Sequence, residues 1–180
     1  LAALGSNTEM TEYLHSQSGG NPYYLTQLSD VAVDGIPSTL AELIQARLRY
    51  LPESVQPVLH AAAVLEPTID LSTMRHTSQR GEEEILDALD FLQASGVLSE
   101  RSERYEFTHP LVATVVRDGL SNGRRKLYHR RAAEGIAARY KEQLATVAGQ
   151  LARHYSEAGE TIEAARFAEM AGDEALRLGA

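Results

Sequence analysis

The chain has 180 residues, of which 43% are hydrophobic and 23% are charged, so it is long enough and apolar enough to fold around a substantial core. Its net charge of −8 argues against a general nucleic-acid or anionic-membrane surface, and the absence of cysteine excludes disulfides, thiolate catalysis and cysteine-based zinc sites. No apolar run approaches the roughly 18 residues that span a bilayer. We therefore expect a cytoplasmic location without membrane association.

Residues 1–35 are predicted to contain the end of one helix, over 8–16, and a second helix over 23–33. The helical pattern stops at the pair Gly19 and Gly20. Asn21 is then a favourable N-cap and Pro22 a favourable first helical residue. The two glycines would let another group approach the backbone closely. A plain helix–turn–helix joint is the simpler interpretation of this stretch alone.

The segment 36–121 shows helical patterns followed by two strand patterns. Helices are predicted over 40–51 and 53–65, a short one begins at Ile69, and a strongly amphipathic one covers 82–95. The side chains of this last helix that are predicted to point inward are Ile85, Leu86, Leu89 and Leu92. Two strands, 97–100 and 104–108, follow around a polar turn. This order, helices followed by a two-stranded wing, is typical of a winged-helix domain.

His109 stands where the second strand pattern gives way to a helix. Tyr105 and Phe107 alternate with polar residues, as in a strand, and Pro110 suits the first position of a helix. Helix N-termini attract anions, phosphates included. His109 is therefore a candidate phosphate-binding residue. A histidine that caps the helix or packs in the core is the alternative.

Residues 122–180 are predicted to be helical with small residues where helices meet. Tetratricopeptide units repeat with a period of about 34 residues, and Tyr155, Ala164 and Ala171 match that pattern. The pattern is degenerate, since small or aliphatic residues replace its large aromatic, its glycine and its proline. One such unit does not bury its own apolar face. We therefore expect further helices beyond Ala180, and we expect the chain to be part of a longer protein.

Several of these motifs occur in an order that resembles a known family. They are Gly19-Gly20-Asn21-Pro22-Tyr23-Tyr24-Leu25, Ile36-Pro37-Ser38-Thr39-Leu40, the 82–98 helix and strand, and Phe107-Thr108-His109-Pro110-Leu111. The chain resembles the C-terminal part of the nucleotide-switch region in signal-transduction ATPases with numerous domains. It is most similar to the large ATP-binding regulators of the LuxR and maltose-activator type. The resemblance covers nearly the whole chain.

The resemblance implies a mainly α-helical fold in three parts. These would be the end of the ATPase lid in 1–35, a winged-helix domain in 36–121 and the start of a tetratricopeptide-like repeat region in 122–180. It also implies that the parent regulates transcription in response to an inducer or protein partner at the repeats. A nucleotide-binding domain upstream in the same chain would be the other partner.

The same resemblance implies that ADP holds the parent in a closed state. Pro22 matches the lid proline that lies against the adenine and ribose, with Gly20 and Asn21 beside it. His109 matches the winged-helix histidine that contacts the β-phosphate. The cofactor would be ADP or ATP, and the ligands of Mg²⁺ would lie outside these residues.

One departure from that family concerns catalysis. The 180 residues contain no Gly-x-x-x-x-Gly-Lys-[Ser/Thr] loop and no apolar strand that ends in paired acids. We therefore expect no ATP hydrolysis by this chain alone, although the parent could be a slow ATPase. The Gly119–Gly123 string matches a nucleophile elbow, but a helix precedes it where that motif needs a strand, so we interpret it as a turn.

The sequence also bears on DNA binding and on a scaffold role as alternatives to the nucleotide switch. DNA binding is rejected, because the 82–95 helix that would enter the major groove has five acids and no base. One basic cluster is interpreted as an exposed face that balances nearby acids, with a contact to an acidic surface or nucleic acid as the alternative. Its residues are Arg124, Arg125, Lys126, His129, Arg130 and Arg131.

The histidines show no metal-ligand spacing. A nucleotide-independent protein-interaction scaffold of winged helix and repeats remains the alternative function.

Overall fold

The computed structural model describes residues 40–101 and 104–179. Within these ranges the chain forms eight α-helices, one short 3₁₀ helix and a two-stranded antiparallel sheet, which confirms the predicted mainly α-helical class. The elements in chain order are α1 (Leu40–Leu48), α2 (Gln56–Leu65), α3 (Leu71–Ser78), α4 (Glu82–Ala94), β1 (Leu98–Arg101), β2 (Arg104–Phe107), α5 (Pro110–Asp118), α6 (Asn122–Arg139), the 3₁₀ helix (Leu144–Val147), α7 (Ala148–Ala158) and α8 (Thr161–Leu178). The predicted lid residues lie outside the described ranges.

The chain divides into two compact units, with the division after Tyr50. Helix α1 belongs to the first unit and ends at Leu48, three residues before the predicted end. Its last turn tightens, because the Tyr50 N–H donates to the carbonyl of Arg47. Pro52 disfavours helical backbone at the residue before it, so the helix does not extend through Leu51.

Helix α2 is the centre of the second unit. Seven of its ten residues are buried, and it packs against α3, α4, α5 and α6. A helix surrounded by other helices needs apolar side chains on nearly every face, and the sequence from Val58 to Leu65 provides them. The helix ends at Leu65 with Glu66 as its C-cap, and the Glu66–Pro67 peptide bond is cis.

Helix α4 buries one face and exposes its acids. Ile85, Ala88, Leu89 and Leu92 are buried, as the period of an α-helix requires. The prediction that Leu86 points inward is wrong, since 40% of its surface is exposed. Leu86 lies one residue, or about 100°, beyond Ile85 around the helix, which moves it off the buried face.

The two strands form a short hairpin after α4. Leu98 pairs with Phe107 and Arg101 with Arg104. A single bridge joins Tyr105 to Ile69, which lies just before α3. This bridge attaches β2 to the segment that leads into α3.

Helices α6, α7 and α8 pack in sequence order, and α6 also packs against α3 and α2. Gly135 lies where α6 packs closely on α3, since an added Cβ would be 2.9 Å from the Cβ of His76. Between α7 and α8, the rings of Tyr155 and Phe167 are stacked with centroids 5.5 Å apart. The predicted repeat residues therefore belong to the same compact unit as α2–α5.

Helix α8 is covered by the rest of the unit on one side only, and several of its large apolar side chains are exposed. Phe167 is its single buried residue in the described part of the chain. Ile162, Leu176 and Leu178 are 83%, 76% and 69% exposed. None of the described helices is both long enough and apolar enough to cross a membrane.

Candidate functional site

His109 lies at the junction of β2 and α5. Thr108 fixes the end of the strand, because its N–H donates to the carbonyl of Val97 (3.1 Å) and its hydroxyl to the carbonyl of Gly96 (2.8 Å). His109 then has extended backbone, with φ −146° and ψ 133°, and Pro110 begins the helix. The predicted strand-to-helix position of this histidine agrees with the structure.

The side chain of His109 is the N-cap of α5. Its Nδ1 accepts a hydrogen bond from the Leu111 N–H at 3.1 Å, and the Val112 N–H donates to the His109 carbonyl at 3.0 Å. Pro110 has no N–H, so these bonds use the first N–H groups of the helix. The capping role that the sequence left open as an alternative is therefore present.

The cap also determines which ring nitrogen of His109 is the donor. A nitrogen that accepts a hydrogen bond holds no hydrogen, so the neutral ring has its hydrogen on Nε2. The ring is partly buried. An Nε2–H group is the donor that a phosphate oxygen or a carboxylate would require.

The other predicted nucleotide-binding residues are Gly20, Asn21 and Pro22, and they lie outside the described residues. Their distance from His109 is therefore not part of the structure. The convergence of Pro22 and His109 on one nucleotide stays a prediction.

The basic cluster predicted on α6 divides into two groups. Arg125 Nε is 3.9 Å from Glu157 of α7, and Arg130 Nη2 is 2.9 Å from Glu160, the residue that precedes α8. These ion pairs agree with the interpretation that the cluster balances nearby acids. His129, which the sequence assigned to the same exposed face, is instead buried, with only 3% of its surface exposed. Its ring faces α7 and contacts a partner side chain of that helix.

That partner is His154 of α7, which is fully buried. The Nδ1 atoms of His129 and His154 are 3.1 Å apart. Burial is the largest cause that lowers the pKa of His129 to about 4 and that of His154 to about 3. Arg153 lowers the pKa of both rings further, whereas Glu157 opposes the shift at His129. Both rings are therefore neutral near pH 7.

His129 of this pair lines a polar cleft of about 390 Å³. The cleft lies between the end of α2, the end of α5 and the facing sides of α6 and α7. Its lining residues are Glu66, Pro67, Arg117, Asp118, Arg125, His129, Arg153 and Glu157. Three arginines and three carboxylates thus meet in one cavity.

Arg117 connects two sides of this cleft. Its Nη1 donates to Glu66 Oε2 at 2.8 Å and to the carbonyl of Ala63 at 2.7 Å. The bond to Ala63 satisfies one of the carbonyls that the end of α2 leaves without a helical partner. Arg117 therefore fastens the end of α5 to the end of α2.

Sequence reasoning missed this cleft for a physical reason. Its residues come from four helices, and the ion pair of Glu66 with Arg117 joins positions 51 residues apart. No helical or strand period relates such positions. The one partial signal was His129, whose place among five basic residues is unusual for a buried side chain.

Metal ligation has no geometric support in residues 40–101 and 104–179. No group of three or more His, Asp or Glu side chains there is arranged to hold a metal ion. Ser121, the serine of the elbow-like string, caps α6 by accepting from the Arg124 N–H. It therefore follows one helix and begins another, as expected for a turn.

Comparison with protein-family models, with curated proteins and with solved structures found no match to this chain.

Proposed function

We propose that the chain is a regulatory segment of a multi-domain nucleotide-switch ATPase, one that regulates transcription. Its lid residues and a winged-helix segment would hold ADP in a closed state, and its last helices would begin a repeat region that senses an inducer or protein partner. The nucleotide-binding domain, with its phosphate loop and Mg²⁺ ligands, would lie upstream in the same protein.

The observation that supports this proposal most directly is the hydrogen bonding of His109. The cap to Leu111 fixes the ring and assigns its hydrogen to Nε2. A fixed donor at the start of a helix, where the helix dipole is positive, favours an anion such as a terminal phosphate. The cap and the phosphate contact use different ring nitrogens, so one histidine performs both roles.

The proposed mechanism is a shift between two conformations. ADP would contact Pro22 in the lid and His109 in the winged-helix segment, and so favour the closed state. ATP together with an inducer would favour the open state. Such a shift requires each ligand to bind the two states with different affinity.

The test is the rate of ADP release from the full-length parent protein. The variant His109→Ser keeps a good N-cap residue and removes the imidazole, so it separates the phosphate contact from the cap. We expect this variant to release ADP about tenfold faster, the effect of losing one charge-assisted hydrogen bond. Release at the native rate would overturn the role of His109.

The alternative function, a nucleotide-independent interaction scaffold, has one observation in its favour. Ile162, Leu176 and Leu178 expose large apolar surface on α8, as the end of an unfinished helical stack does. A full-length parent that purifies without nucleotide and binds neither ADP nor ATP would favour the scaffold over the switch.

A further inference from the structure

The polar cleft between α2, α5, α6 and α7 is distinct from His109 and takes no part in the proposed nucleotide contact. We propose that it is a binding site for a small organic phosphate whose remaining part has hydroxyl or ammonium groups. The inference depends only on the cleft and stands whether or not the chain belongs to a nucleotide switch.

The hydrogen bonds beneath the cleft have a fixed direction. Arg153 Nη2 is 3.3 Å from His154 Nε2, and a guanidinium only donates, so this histidine nitrogen is the acceptor. The neutral His154 ring then has its hydrogen on Nδ1 and donates it to Nδ1 of His129. His129 in turn has its hydrogen on Nε2. His129, which is among the residues that line the cleft, thus has a set tautomer with Nε2–H as its donor.

Two arginines of the cleft hold their charge with incomplete pairing. Arg125 is 3.9 Å from Glu157, which is too long for a hydrogen bond. Arg153 makes two contacts of 3.3 Å, to the Glu66 carbonyl and to His154, and both use the same nitrogen. A guanidinium has five N–H groups in a planar fork that matches phosphate oxygens. Both side chains therefore retain donors for an anion.

Arg117 is engaged more completely, because its Nη1 donates to Glu66 and to the Ala63 carbonyl at 2.8 and 2.7 Å and its Nη2 donates to the Thr114 hydroxyl at 3.3 Å. The same ion pair removes Glu66 as a competitor for the anion. What remains around the cavity is two arginines and the His129 donor on one hand, and the carboxylates of Asp118 and Glu157 on the other. The first group suits a phosphate, and the second accepts from hydroxyl or ammonium groups.

The size of the cleft agrees with such a ligand. Ligand pockets in proteins have volumes of roughly 300–1,000 Å³, and this one is about 390 Å³. That volume exceeds what a phosphate ion alone would fill. A small phosphorylated metabolite would place its anionic group at the arginines and its polar remainder at the carboxylates.

The test is calorimetric titration of the protein, in a buffer free of phosphate, with glycerol 3-phosphate, inorganic phosphate and glycerol. We expect saturable binding of glycerol 3-phosphate that is tighter than binding of inorganic phosphate, and no binding of glycerol. Arg125→Gln and Arg153→Gln should each weaken the affinity for glycerol 3-phosphate about tenfold.

Arg130→Gln is the matched control. Arg130 lies on the same helix as Arg125 and also pairs with a glutamate, Glu160, but it does not line the cleft. We expect it to change the affinity by less than about twofold, since surface charge acts weakly at a distance. The Arg125 side chain is exposed, so we expect Arg125→Gln to fold normally, and its melting temperature without ligand checks this.

Three results would overturn the proposal. They are no saturable binding of glycerol 3-phosphate, an equal loss of affinity in Arg130→Gln, or binding of inorganic phosphate as tight as that of glycerol 3-phosphate. The first would make the cleft a set of internal ion pairs. The second would indicate general electrostatic attraction, and the third a site for the anion alone.

Discussion

His129 and His154 meet across the interface of α6 and α7 with their Nδ1 atoms 3.1 Å apart, both buried and both neutral near pH 7. Burial disfavours the charged form of a histidine, so each ring binds a proton more readily in the unfolded chain than in the folded one. The stability of the packing between these two helices therefore depends on pH.

We expect the free energy of unfolding to fall as the pH decreases below 6.5. The unfolded rings take up protons at about that pH, whereas folded His129 does so at about 4 and folded His154 at about 3. Their contribution to stability is complete above 6.5 and is lost progressively below it, by at most ~1.4 kcal/mol per pH unit for each ring. Urea unfolding at a series of pH values measures the slope.

The variant His154→Gln tests the assignment of that slope. It removes one titrating ring, so between pH 6.5 and 4 the slope of the unfolding free energy against pH should correspond to about one fewer proton taken up on unfolding. Above pH 7 the native and variant slopes should coincide. An unchanged slope at acid pH would assign the loss of stability to other groups, including His60, whose pKa burial and Arg124 lower to about 4.

Gly135→Ala should destabilise the second unit. The added Cβ would be 2.9 Å from the Cβ of His76, which forces α6 away from α3, and such overpacking costs ~1–3 kcal/mol. Gly172→Ala is the matched control, because nothing described lies within 4 Å of the added Cβ on the exposed side of α8. It should stabilise the protein by ~0.5–1 kcal/mol through helix propensity. Denaturant unfolding of both variants measures these changes. An unchanged free energy of unfolding in Gly135→Ala would contradict the close approach of α6 to α3.

Arg117→Met should lower the free energy of unfolding by ~1–3 kcal/mol, because it removes two short hydrogen bonds, one to the partly buried carboxylate of Glu66 and one to the carbonyl of buried Ala63. Arg166→Met removes an exposed pair with Glu163 and should cost ~0.5 kcal/mol or less. Urea midpoints near neutral pH compare the two. Similar losses would mean that the Arg117 contacts contribute no more than a surface ion pair.

His109→Ala should destabilise α5 by ~1 kcal/mol, whereas His109→Ser should stay within ~0.5 kcal/mol of the native protein. The reason is the hydrogen bond from Leu111 N–H, which a serine hydroxyl accepts and an alanine does not. Thermal or chemical unfolding distinguishes the two variants. Equal stabilities would mean that the observed cap contributes little.

The elements that sequence could predict are those with a local cause. The strand alternation around Tyr105, the helix start at Pro110 and the buried face that includes Ile85 and Leu89 all follow from spacing within a few residues. Leu86 was assigned wrongly, because it adjoins that face in sequence but lies off it in space.

The elements that sequence could not predict depend on contacts between distant positions. The pairing of His129 with His154 and the contact of Arg117 with Ala63 join helices whose relative placement is decided by packing of the whole unit. A histidine among arginines looks solvent-exposed until its partner helix is in place. His109 is a different case: its position at a helix start follows from local sequence, but its ring hydrogen could be assigned only from the observed bond to Leu111, two residues away.

Helix α6 has a mechanical consequence for any signal that reaches α7. Its 18 residues make a rod of about 27 Å that packs on α7 through His129 and is fastened near its far end, where Arg139 binds Asp70 and Ser72 at the start of α3. Because α7 contacts this one uninterrupted helix through His129 and Arg125, we expect a tilt of α7 to turn the rod as well. A tilt of about 5° at one end of such a rod displaces the other by roughly 2 Å. The start of α3, and with it the Ile69–Tyr105 bridge, would therefore register such a displacement directly.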